Sequence, residues 1–160
     1  MNRLSKIVKN IYQLPKFLQP SALSLTLGNV VKFVGTAGIR FEKMQAEEVI
    51  VTLANKRKTQ NHIGQVHAAA TALLAETATG MVVGMNVPDD KIPLLKSMQV
   101  HYLKRSQGQQ QAIASLDVTQ IEHIKTAEKG EVSVPVVVKD AVGTIVVEVE
   151  MVWAWIPKRR

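Results

Sequence analysis

The sequence predicts an α+β fold: an antiparallel sheet of five to six strands wrapped round one long central helix, with an N-terminal helical extension. Three observations carry this reading. Residues 68–83 are almost wholly Ala, Leu, Met, Val and Thr, with Glu76 the single charge, and a helix apolar on nearly every side belongs in an interior. The segments on either side of it alternate apolar and polar residues with the period of a strand. The later segments are separated by short turns, which leave no room for the crossover helices of a doubly wound parallel sheet.

The chain divides into the extension, residues 1–28, and the main domain, residues 29–160. In the extension Leu4, Ile7, Val8 and Ile11 recur at helical spacing, with Arg3, Lys6 and Lys9 on the other side. Pro15 interrupts this pattern. Pro20 starts a second, short helix, with Ser21 as its candidate cap, that ends near Gly28. An amphipathic terminal helix can dock on its own domain, lie on a membrane surface or contact a partner, and docking is the expected role. From Ile39 to Leu53 the period becomes two, with a turn at Gln45 to Glu47, which makes a hairpin. Lys56 to Lys58 then lead to a polar turn beginning at Asn61 and so to the helix.

After the helix, Asn86 to Pro93 reads as a loop because it holds Pro88, Asp89, Asp90 and Pro93. Alternation resumes at Met98 to Tyr102, Ala112 to Val118, Val132 to Val138 and Ile145 to Trp155. Turns at Gln107-Gly108, Lys129-Gly130 and Ala141 to Gly143 join these segments into a meander of antiparallel strands. Trp153 and Trp155 share one strand face and are read as core. Such a sheet has edges that must be covered, and joining two copies edge to edge is the expected remedy.

Composition removes several classes of function. The chain has no cysteine, which excludes disulfides, a thiolate nucleophile and a thiolate metal site. No serine sits in a strained elbow between glycines. His62 and His67 are five apart, whereas a metal-binding helix places its ligands four apart, so neither a metal nor any other cofactor is expected. The net charge of +7 invites a nucleic-acid reading, but the clusters are small: Lys56-Arg57-Lys58, Lys104-Arg105 and Lys158-Arg159-Arg160. With aromatics at 4% and no recognition motif, nucleic acid is an unfavoured partner. No uninterrupted apolar run reaches the length of about 18 residues that a transmembrane segment needs. The N-terminus lacks the apolar core and cleavage site of a secretory signal, so a cytoplasmic protein is the expectation.

The chemistry concentrates at the start of the helix. Asn61, His62, Gly64 and His67 fall within seven positions, and Gly64 permits a left-handed turn. The first helical turn then offers unpaired N–H groups and a positive dipole end, which hold an anion or polarise a carbonyl. Glu76 is costly to bury unless it is paired or functional, because burial disfavours the ionised carboxylate.

Asn61, Gly64, His67-Ala68-Ala69 and Glu76 together resemble the pattern of the hot-dog fold acyl-CoA thioesterases, in the branch similar to the phenylacetate-pathway enzymes. There an Asn and a Gly precede His-Gly-Gly, and an acid stands nine residues beyond the His; Ala68 and Ala69 take the places of the two glycines here. The resemblance runs from about Gly35 to Pro157. It implies that Glu76 attacks or activates water, often across a dimer interface, with Asn61 positioning the water or the carbonyl and His67 shaping the turn. It also implies that backbone N–H groups around Gly64, Val66, Ala68 and Ala69 hold the thioester oxygen, and that Lys104 and Arg105 meet coenzyme A phosphates. The implied partners are acyl-CoA or an acyl-carrier thioester, and a second copy of the chain in a homodimer or homotetramer. A module that binds acyl-CoA or an acyl chain without hydrolysing it is the alternative. Each residue also has a plainer role: Glu76 balanced by Arg40 or Lys104, His67 as a helix cap, Asn61 as a turn residue, and Lys104 and Arg105 as solvated charges.

Overall fold

The computed structural model describes residues 1–158; Arg159 and Arg160 of the C-terminal basic cluster lie outside the described residues. The chain opens with helix α1, Arg3–Ile11, whose N-cap is Asn2. The Asn2 side-chain oxygen accepts the Ser5 N–H at 2.8 Å, and its amide donates to the carbonyls of Gly84 and Val87. That anchors the extension to the far end of the central helix.

Helix α2, Gln19–Val30, carries Pro20 in its first turn, where a missing N–H costs nothing. Helix α3, Lys32–Ala37, follows, although the sequence predicts no helix after Gly28. Six residues are too few to display a helical period. The two helices touch at glycines: a Cβ on Gly35 would stand 2.5 Å from the Gly28 carbonyl oxygen. This close approach lets Leu23, Leu27 and Val34 join the main core. Gly38, at φ +77°, supplies the left-handed residue that ends α3.

The hairpin forms where the alternation places it, from β1, Arg40–Met44, and β2, Glu48–Leu53. Then come the central helix α4, Ala68–Asn86, and strands β3, Lys91–Tyr102, and β4, Gln110–Ser115. Helix α5, Val118–Thr126, and strands β5, Gly130–Asp140, and β6, Ile145–Pro157, complete the chain. One six-stranded antiparallel sheet in the order β1-β2-β4-β5-β6-β3 wraps α4, which touches β2 to β6. This is the predicted fold at the upper end of its strand count.

Three local expectations are corrected. Of the predicted meander only β4, β5 and β6 are neighbours in series; β4 pairs with β2, and β3 lies at the far edge beside β6. Alternation fixes which face a residue occupies and is silent about which strand lies beside it. Val118 opens α5 instead of closing a strand. Asp117 accepts the Gln120 N–H at 2.8 Å while the Gln120 side chain accepts the Asp117 N–H at 2.9 Å, a reciprocal cap. Finally, β3 begins at Lys91 and takes in Pro93, which reads as loop in the sequence. An edge strand tolerates a residue that cannot donate.

The core is continuous from the extension to the sheet, and Trp155, Phe41, Leu23, Met44, Leu53 and Leu74 are among its fully buried side chains. Among the described residues α4 alone is long and apolar enough to cross a membrane, and its place inside the sheet accounts for that composition. Its contact with β6 is set by Gly80. A Cβ there would lie 2.8 Å from the Trp153 ring, and the Trp153 indole N–H donates to the Thr79 hydroxyl at 3.0 Å. Gly80→Ala is therefore expected to destabilise by about 1–3 kcal/mol through overpacking. In an unobstructed helix the same change stabilises by about 1 kcal/mol, so urea denaturation that finds a gain would remove this account.

Candidate functional site

The turn before α4 is shaped by Asn61. Its side-chain oxygen accepts the N–H groups of Ile63 at 3.0 Å and Gln65 at 3.1 Å, and its backbone N–H donates to the Gln65 carbonyl at 2.8 Å. Gly64, at φ +73°, makes the reversal possible, and its carbonyl accepts from the Asn55 amide at 3.0 Å. Asn61 thus fills the turn role that its residue type suggests. Its Nδ2 has no acceptor among the described residues, and Asn61 lines a cleft.

His67 is the N-cap of α4: its Nδ1 accepts the Ala69 N–H at 3.0 Å, which places the ring proton of the neutral imidazole on Nε2. The His67 N–H donates to the Thr59 carbonyl at 2.8 Å. Of the amides from Val66 to Ala69, those of His67 and Ala69 are therefore engaged. Those of Val66 and Ala68 have no protein acceptor among the described residues.

The sequence-predicted residues separate into four places. Asn61, Val66, Ala68, Lys104 and Arg105 line one cleft of about 330 Å³. His67 and Ala69 line a second, of about 260 Å³, with Phe33, Ala70 and Leu73. Gly64 lines neither and stays in the exposed turn, and Glu76 stands apart from both.

Glu76 lies on a stripe of α4 with Ala69, Leu73 and Gly80 that the chain leaves partly open, so the helix is not buried on every side as its composition predicts. Neither Arg40 nor Lys104 balances it, for Arg40 pairs with Glu42 at 3.0 Å and Lys104 faces the first cleft. Among the described residues no cation pairs with Glu76. Burial alone pushes its carboxyl above the ordinary carboxylate value.

Other groups complete the first cleft, and residue type does not single them out. Tyr102, at the end of β3, donates its hydroxyl to the Ala68 carbonyl at 2.9 Å, and burial pushes its pKa up, which keeps it a donor. Thr71 donates to the buried Gln110 side chain at 2.7 Å. The Ser106 hydroxyl is buried on the cleft wall without a hydrogen-bond partner among the described residues. A buried hydroxyl of this kind calls for a ligand or a water. In the sequence Ser106 is visible only as the residue after Lys104-Arg105.

Solved structures share this architecture. PA5026 of Pseudomonas aeruginosa, described as a protein of unknown function and probable thioesterase, is 23% identical, with 91% of this chain and 97% of that one covered at a TM-score of 0.77. The thioesterase HI1161 of Haemophilus influenzae is 14% identical, with 86% and 90% covered at 0.70. A mutant of the Pseudomonas aeruginosa thioesterase PA1618 is 17% identical, with 84% and 94% covered at 0.70. At these identities the likeness establishes the hot-dog fold. No curated protein sequence matches the chain. Residues 20–156 match the family described as a domain of unknown function, DUF4442, and the chain belongs to that family.

Proposed function

We propose that the chain is a hot-dog thioester hydrolase that acts on acyl-CoA or an acyl-carrier thioester as a homodimer. The observation that carries this reading is Glu76, a half-buried carboxylate with no cation paired to it among the described residues, raised by burial toward working pH on the open stripe of the core helix. A carboxylate held there only for stability would be expected to have a partner. The neighbours described as thioesterases agree with it.

Glu76 as nucleophile or base needs an acyl carbonyl held by the free Ala68 N–H at the helix start, where the dipole favours a developing oxyanion. Ala68 and Glu76 are eight residues apart, hence about 12 Å along the helix axis. Reacting groups meet at about 3–3.5 Å. The carboxylate of one copy therefore serves the helix start of the other. Strand β3 offers the surface for that pairing: it is a sheet edge, and Ile92, Leu94, Leu95, Met98 and Tyr102 are all exposed. Lys104, Arg105, the Ser106 hydroxyl and the Asn61 amide would meet the phosphates and amides of coenzyme A in the first cleft.

Two observations favour the second reading, binding without turnover: His67 already consumes the Ala69 N–H, and methyl groups stand at residues 68 and 69 where the resembling pattern has glycines. Thiol release from a panel of short, aromatic and long acyl-CoAs decides between them. Turnover of any panel member is the expected result. Micromolar binding without turnover moves the function to binding, and neither binding nor turnover removes both readings.

A further inference from the structure

No Asp or Glu occurs before Glu42, whereas Arg3, Lys6, Lys9, Lys16, Lys32 and Arg40 do occur there. Glu42 pairs with Arg40, and Asp89 reaches this segment only at the Arg3 backbone N–H. The remaining cations stand without an acid of their own segment. Interleaved with them are large apolar side chains left open: Phe17 is 79% exposed, Leu25 70%, Val30 71% and Phe33 67%. Leu18, the N-cap of α2, is itself in helical conformation and stands seven residues, about two turns, before Leu25, so the two lie on one side of the helix. Leu25 and Lys32 line a shallow cleft with Thr36, and Thr36 lines the neighbouring cleft with Phe33. The side chains of Leu25, Lys32 and Phe33 thus belong to one continuous surface.

We propose that this surface, from the Lys16–Leu18 turn through α2 to Phe33 on α3, docks on an anionic lipid bilayer, with the apolar side chains inserted at the interface and the lysines against the headgroups. Charge selects this occupant. Lys16 stands beside Phe17 and Lys32 beside Phe33, at the two ends of α2, which itself carries no charge. Protein interfaces are depleted of lysine at their centres, whereas lysine beside open aromatic and aliphatic side chains suits an anionic membrane surface. A nucleic acid would use the lysines but would leave the phenylalanines and Leu25 in water.

The docked face adjoins the helix start. The Lys58 ammonium donates to the Thr36 carbonyl at the end of α3, and next to it the Thr59 carbonyl accepts the His67 N–H. The cleft between them runs from Phe33 to His67 and Leu73, which opens the start of α4 toward the bilayer. Docking does not depend on what chemistry occurs there.

The test is co-sedimentation of the full chain with vesicles of phosphatidylcholine alone or with about 30% phosphatidylserine, at about 0.1 M salt. The intact chain is expected to partition at least about tenfold better onto the anionic vesicles. Phe17→Ser, Leu25→Ser and Phe33→Ser combined are expected to lose about tenfold of that partitioning with the circular dichroism unchanged, since all three side chains are exposed. Lys16→Glu with Lys32→Glu is expected to abolish the preference for anionic lipid. Equal partitioning onto both vesicle types, or undiminished partitioning of the serine variant, overturns the proposal. So does a lower oligomeric mass of the serine variant in sedimentation equilibrium, which would assign the face to a second copy of the chain.

Discussion

Glu76→Gln is expected to lower thioester hydrolysis by about 100-fold or more and, in the same protein, to raise stability at neutral pH. The two effects have one cause. Burial without a cation disfavours the ionised carboxylate, which raises the pKa in the folded state above the unfolded value of 4.5 and makes the ionised group a cost to folding. In the interval between the two pKa values the folded chain holds more protons than the unfolded chain, so unfolding free energy falls as pH rises. Below the unfolded value the acid is neutral in both states and the cost is absent; above the folded value it is present in full. The amide never ionises. The intact chain and the glutamine variant should therefore unfold at similar temperatures in acid and separate as pH rises through the carboxylate range, with the variant ahead. The gap stays below about 1 kcal/mol because the side chain is partly open to water, which screens it. Thermal melts from acid to neutral pH, run beside a thiol-release assay, read both halves. A variant that keeps its activity removes Glu76 from the chemistry. A variant that is inactive but less stable than the intact chain at every pH gives the carboxylate a structural role.

What the sequence discloses about this residue, and what it withholds, follows from where each kind of information is stored. A single charge in a long apolar run marks Glu76 without any structure, because the cost of burying a charge depends on composition and period alone. Whether the charge has a partner is a three-dimensional fact. Arg40 and Lys104 are both plausible from residue type, and Arg40 turns instead to Glu42, two positions along its own strand, where the pair forms with little ordering cost. His67 shows the reverse case. Its type suggests catalysis or a cap, and the choice rests on a ring nitrogen 3.0 Å from the Ala69 N–H. Ser106 gives no signal in sequence, since a hydroxyl becomes informative only when it is buried and unpartnered.

The fold shows the same division. The hairpin, the central helix and the alternating strands are legible because period two and period 3.6 are local properties. The place of β3 beside β6 is not local: its register runs from Lys91 opposite Pro157 to Tyr102 opposite Val147. Helix α5 had a readable signal in Asp117 and Gln120, a cap spacing hidden because the alternation of Ala112, Ala114 and Leu116 continues in phase to Val118.

Trp155→Ala is expected to cost about 3–5 kcal/mol, a large part of the roughly 5–15 kcal/mol that holds a domain of this size together. The indole is fully buried on β6, between Pro93 of β3 and Gly130 of β5 in the strand register. Gly130 is itself a consequence of the ring: a Cβ there would lie 2.5 Å from it. The His123 ring of α5 meets the indole edge to face at a centroid distance of 5.1 Å. The indole N–H donates to the Ala127 carbonyl at 3.0 Å, so one side chain fastens α5 to the sheet by packing and by a hydrogen bond. Truncation to alanine removes both and leaves a hole among strands whose backbone pairing prevents collapse. The second variant, Trp155→Phe, separates the contributions. It retains a ring and loses the N–H, but the Ala127 carbonyl keeps the Lys91 ammonium at 2.7 Å and is not orphaned. Its expected cost is about 1–2 kcal/mol. Urea denaturation of the three proteins measures the order intact, phenylalanine, alanine. If phenylalanine costs as much as alanine, the hydrogen bond carries the contact; if alanine costs less than about 1 kcal/mol, α5 is not fastened to the sheet through this residue.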